Sequence, residues 1–210
     1  MNTKKLISMI TDSAKSSFGA YGFKKRSGQI FTQKISDETI GWLGLNRAVL
    51  ISDKLIEINP VIGVRHQPTE KLLAEVLEEK FHPYIPPTVS IHLGYVTPKM
   101  DYTPWFFPIN KNPSKQIDIL AEAIKSYGLP FMHSNKELKT LTLATENQGL
   151  GILEQTKYRL PVMHYLLGNK EYANIIINKE LKNKEKRKDL AAQYYRKFAK
   201  SFKNLLGTKS

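Results

Sequence analysis

The chain has 210 residues, 41% of them hydrophobic and 10% aromatic, with no cysteine and a formal net charge of +13. That length and apolar content suit one large domain, or a core with a helical extension, and exclude a disordered chain. Lack of cysteine excludes a disulfide framework, a thiol nucleophile and thiolate metal ligation, and fits a cytoplasmic protein.

The charge is concentrated at the ends. Residues 1–34 carry a net +6 and residues 179–210 a net +8, whereas residues 35–178 carry a net −1. Positive ends suit nucleic acid, an acidic protein or an anionic surface, or simply a solvated exterior. Lys4, Lys5, Asp12 and Lys15 interrupt the first apolar stretch, so a signal peptide is not expected. No apolar run of about 18 residues is present, so no transmembrane helix is expected.

Leu6, Ile7, Ile10, Ala14 and Phe18 recur at helical spacing and predict an amphipathic helix over 4–20, with Gly22 as the exit turn. Gln29–Ile35 predicts a short edge strand. Ile40–Ile51 alternates, with Leu43, Leu45, Val49 and Ile51 on one face and Trp42 on the other. Lys54–His66 places Ile56, Ile58, Ile62, Val64 and His66 in one row, and Ser52-Asp53 predicts the hairpin turn between the two. Pro60 donates to no ladder and marks a bulge or an unpaired site.

Thr69 is the expected N-cap of a helix reaching Lys80 with Leu72, Leu73, Val76 and Leu77 buried. Val89–Val96 reads as a fourth strand. Pro104 and Pro108 leave room for a short edge strand between them. A helix is expected over Ser114–Tyr127, ended by Gly128 and Pro130, and another over Asn135–Leu143. From Tyr158 onward the pattern is wholly helical, with a turn at Gly168-Asn169 and a long final helix over Lys184–Leu206. Strands that follow one another without crossover helices predict an α+β fold: a small, mainly antiparallel sheet packed with helices and a helical C-terminal half. The expected division is an α+β core over 1–150 and a helical region over 151–210 packed on it.

Candidate functional residues fall into three groups. Tyr102, Trp105, Phe106 and Phe107 pack four aromatics into a proline-framed segment, a composition suited to a protein-binding surface or self-association. Alternation along an extended segment leaves some of them outward; the competing role is to cap the core. Lys24, Lys25 and Arg26, with Arg196, Lys200 and Lys203 on one side of the last helix, are candidates for phosphate contacts in a non-specific nucleic-acid-binding protein. The apolar side of that helix, Ala191, Tyr194, Tyr195, Phe198, Phe202, Leu205 and Leu206, is expected to dock on the protein. His66 and His92 lie in predicted strands and would define a cleft if the chain is an enzyme. No His-Glu-x-x-His, Gly-x-Ser-x-Gly or phosphate-loop pattern is present, so no catalytic residue, metal or cofactor is assigned.

Gly22-Phe23-Lys24-Lys25, preceded by an amphipathic helix and followed by Phe31 in a strand, resembles the opening of a group of small bacterial proteins of unknown function, some thought to act as toxin-immunity proteins. The resemblance covers about 30 residues and implies a non-enzymatic, protein-binding role with no catalytic residue to carry over.

Overall fold

The computed structural model describes residues 2–48, 55–148, 150 and 153–207. The fold is α+β: a curled, six-stranded antiparallel sheet and a largely helical C-terminal half. Helix α1 (Thr3–Gly19) is capped by Asn2, whose side chain accepts from the Lys5 N–H, and buries Leu6, Ile10, Ala14 and Phe18. Gly22 follows at φ +85°, in the left-handed region that glycine enters without steric cost.

The strands are β1 (Lys24–Lys25), β2 (Ile30–Lys34), β3 (Thr39–Arg47), β4 (Leu55–His66), β5 (Val89–His92) and β6 (Trp105–Pro108). The sheet order is β1-β2-β3-β4-β5, with β6 also pairing β4. The predicted edge strand β2 is therefore internal, because the two lysines of β1 pair outside it. The expected turn at Ser52-Asp53 lies outside the described residues.

Strand β4 organises the sheet. It pairs along nearly its whole length with β3, while its other side is shared by β6 at Leu55–Ile58 and β5 at Val61–Val64. Leu45 donates its N–H to the Gln29 carbonyl, toward β2, so the Leu45–Pro60 pair is not hydrogen-bonded across β3 and β4. The nitrogen of Pro60 thus points to the other side of β4, into the interval that neither β5 nor β6 pairs. This is how a proline occupies the middle of the longest strand without removing a ladder bond.

Inward residues Leu43, Leu45, Ile58, Ile62, Val64 and Phe107 form the main core with α1 and with α3 (Ser114–Ala123). A single π-helical turn, Ile124–Gly128, carries α3 into α4 (Leu129–Ser134). Gly128 and Pro130 therefore do not stop the chain, as their residue types suggested. Pro130 stands in the first turn of α4, where its missing N–H is tolerated. Gly128 is buried, and a Cβ there would meet Ile62 and Ile124.

Helix α2 (Gln67–Leu77) begins earlier than expected. His66, not Thr69, is its N-cap, with the imidazole accepting from the Thr69 N–H, and Pro68 fits the first turn. It ends at Glu78, in a left-handed conformation (φ 58°). The predicted strand to Val96 stops at His92, because Leu93–Val96 winds into a 3-10 turn.

Helices α5 (Leu138–Gln148), α6 (Leu153–Leu166), α7 (Lys170–Asn183) and α8 (Leu190–Gly207) complete the chain. The last begins six residues later than expected, because the Asp189 carboxylate accepts the Ala192 N–H at 3.0 Å and caps it there. A second core joins Tyr195, Phe198 and Phe202 of α8 to Ala173 and Ile177 of α7, Val162 of α6, and Leu73 and Val76 of α2. Of the residues expected to dock, Ala191 and Tyr194 remain exposed, and Ala192 and Ala199 are buried instead. Among the described residues, no helix is long and apolar enough to cross a membrane.

Candidate functional site

The β4–β6 register decides which aromatics reach solvent. Trp105 lies opposite Ile58 and Phe107 opposite Ile56, both core-facing, whereas Phe106 lies opposite Glu57 on the outer face. Phe107 is 1% exposed and Trp105 packs against the core, so these two predicted binding residues belong mainly to the interior. Phe106 and Tyr102 are 45% and 47% exposed.

Tyr102 is held in place. Its hydroxyl donates to Glu57 Oε1 and to Asn59 Oδ1, and its ring lies 4.5 Å from that of His92. Tyr95 contacts the same imidazole edge-on at 5.9 Å and is itself exposed. His92 Nδ1 accepts the Gly94 N–H at 3.1 Å, and burial pulls the imidazole below its ordinary value, so its proton sits on Nε2. That Nε2 is buried with no hydrogen-bond partner among the described residues. The outer face at the β4–β5–β6 junction is thus a small platform of Tyr95, His92, Tyr102 and Phe106. Sequence reasoning found Tyr102 and Phe106 but not Tyr95, which it placed in a strand; the 3-10 turn brings that ring back toward His92.

The basic residues are dispersed in role. Arg26 donates from Nε to Thr32 Oγ1 at 2.8 Å and stacks 4.0 Å over Tyr84, and Lys25 reaches the Arg26 carbonyl. Arg196 donates to the carbonyls of Lys184 and Arg187, tying the end of α7 to α8, and Lys203 donates to Asn178. Lys24 and Lys200 are exposed. Most of this set is engaged in holding the fold.

The two histidines do not form a cleft. His92 is paired with Val61, an odd number of positions from His66 along β4, so the rings face opposite sides of the sheet. His66 is buried, with Nδ1 2.8 Å from Thr69 Oγ1 and Nε2 3.5 Å from Glu38. Burial holds its imidazole below the ordinary 6.5, against the opposing pull of Glu38, Glu70 and Glu137. The unfolded ring then takes up a proton that the folded ring refuses. Stability is full above the unfolded value and declines as pH falls through it. Thermal unfolding between about pH 7.5 and about pH 5 is expected to show a falling Tm. His66→Asn, which keeps an N-cap acceptor, should flatten that slope, leaving the same-signed part from His92. An unchanged slope in the variant would show that His66 is not the titrating group.

A further site went unread in the sequence. Arg65, at the end of β4, and Arg159, in α6, are 1% and 4% exposed and share the buried carboxylate of Glu70. Arg159 grips it in a fork, Nε to Oε1 at 2.6 Å and Nη2 to Oε2 at 3.1 Å, and Arg65 Nη1 approaches Oε2 at 3.4 Å. Arg65 also donates to the carbonyls of Pro86 and His82 and to Gln67 Oε1. Burial lowers its guanidinium to about 10, Glu70 opposing and Arg159 adding to the fall, so it stays charged at neutral pH. The available signal was Arg65 within an otherwise apolar strand end, where a charge needs a partner.

Among the described residues, no group of three or more metal-ligating side chains occurs. No protein-family model, curated protein or solved structure matches this chain.

Proposed function

We propose that the chain is a non-enzymatic protein-binding module and that the Tyr95–His92–Tyr102–Phe106 platform is its recognition surface. The observation that carries this reading is the exposure of Tyr95, Tyr102 and Phe106, each close to half, with Tyr95 and Tyr102 against the His92 imidazole and Phe106 on the same face beside Glu57. Aromatic rings dominate binding hot spots because they bury large areas with few rotatable bonds. Tyr102 is already fixed by Glu57, Asn59 and His92, which lowers the ordering cost on association. The net charge of +13 favours an acidic partner and speeds its encounter. The resemblance of the Gly22–Lys25 opening to a group of small bacterial proteins of unknown function, some thought to act in toxin immunity, supports the same protein-binding reading.

The test is Phe106→Glu, alone and with Tyr102→Ala. Thermal unfolding, sedimentation and recovery of co-purifying protein on the tagged chain are compared with wild type. Expected is a Tm close to wild type with loss of a stoichiometric complex. A complex that survives both changes would overturn the platform. Binding to a nucleic-acid duplex that weakens steeply with salt, with no protein complex, would favour the basic residues instead.

A further inference from the structure

The buried arginine pair opens onto a cavity of about 500 Å³ between α2, the segment 81–86, α6 and α8. Its walls are apolar and aromatic, with Leu73, Leu77, Phe81, Ile85, Tyr158 and Tyr194 among them. At its base stand two guanidinium groups and one carboxylate, an excess of one positive charge. At the rim, Lys80 is offset by Glu79, whose carboxylate accepts the Tyr194 hydroxyl.

The two arginines differ in what they have left to give. Arg65 is consumed by Glu70, Gln67 and the carbonyls of His82 and Pro86, and so positions the segment 81–86. Arg159 has Glu70 on Nε and Nη2 and Gln155 on Nη1. A guanidinium carries a second N–H on each Nη, so donors on Nη1 and Nη2 remain without an acceptor among the described residues. An excess positive charge and unused donors in an apolar-walled cavity that opens to solvent make a favourable seat for an anionic acceptor. The carboxylate of a ligand supplies both the missing charge and the acceptors, and a volume of this size suits a small organic molecule.

We propose that this cavity binds a small organic monoanion, a carboxylate on a flat apolar body, with the carboxylate on Arg159 and the body between the aromatic walls. One excess charge matches a carboxylate better than a doubly charged phosphate. The site is separate from the aromatic platform on the sheet, so either assignment stands or falls without the other.

Calorimetric titration of the full chain with 3-phenylpropionate, its neutral amide and propionate tests this directly. Expected is saturable binding of 3-phenylpropionate at one per chain, with the amide and propionate each roughly tenfold weaker or worse. Arg159→Met retains the neutral Arg65–Glu70 pair and should bind the acid no better than the amide. Equal binding of acid and amide would reduce the site to an apolar pocket, and equal binding of propionate to an unspecific anion site. Either result overturns the proposal, as does no binding of the acid up to about 10 mM, or an Arg159→Met variant that binds like wild type. Should that variant not fold, the comparison of acid with amide on the wild-type chain decides by itself.

Discussion

Glu70→Ala is expected to destabilise the protein by about 3–5 kcal/mol, the range found when one member of a buried ion network is removed. Glu70 is the shared anion of Arg65 and Arg159, and all three side chains are almost wholly buried. Removing it leaves two unpaired guanidinium groups in a low-dielectric interior that also repel each other. The loss is not confined to one element. Arg65 belongs to the sheet, Glu70 to α2 and Arg159 to α6, so the network ties the helical half to the strands. Arg159→Met should cost less, because it leaves Arg65 opposite Glu70 and so a neutral pair. The check is denaturant unfolding of both variants. If Glu70→Ala proves no worse than Arg159→Met, the network is not a joint charge balance and the two ion pairs act separately.

Phe107→Ala is expected to cost about 3–5 kcal/mol, whereas its neighbour Phe106→Ala should cost no more than about 0.5 kcal/mol. The two residues have the same side chain and adjacent positions. They differ only in the side of β6 from which they project. Phe107 sits beside Ile56 and Ile58 in the main core, and truncation leaves a cavity that the close-packed surroundings only partly fill. Phe106 projects to the outer face beside Glu57. For a chain of this size the Phe107 loss corresponds to a fall in Tm of roughly 10 °C. Thermal scans of the two variants, side by side, make the comparison. Similar losses would mean that Phe106 is packed rather than displayed, and the platform would lose its outer ring.

Helical and strand periodicity were readable wherever one face is buried. The α1 stripe of Leu6, Ile10, Ala14 and Phe18 and the β4 row of Ile56, Ile58, Ile62 and Val64 are buried as their spacing required. Boundaries set by single capping groups were not readable. Thr69 and His66 both precede the apolar stripe of α2, and the imidazole, reaching back from the end of β4, takes the cap. At Gly128-Leu129-Pro130 the residue types indicate a stop, but a π-helical turn carries the helix on, with Gly128 where a Cβ would meet Ile62 and Leu93. The platform was half readable: alternation requires that some aromatics of 102–108 face outward, yet which ones depends on the register of β6 against β4.

The sequence by itself determined the α+β class, the mainly antiparallel character of the sheet and most of the amphipathic faces of its helices. Those follow from local periodicity, since a buried face must repeat every two or every 3.6 residues. Tertiary structure alone decided the partnerships between distant residues. Tyr95 and Tyr102 meet over His92 only because a 3-10 turn follows β5. Glu70 meets Arg159, 89 positions away, only because α6 packs on α2. No local pattern encodes such pairs, because the free energy that selects them comes from desolvating two groups together rather than from either segment alone.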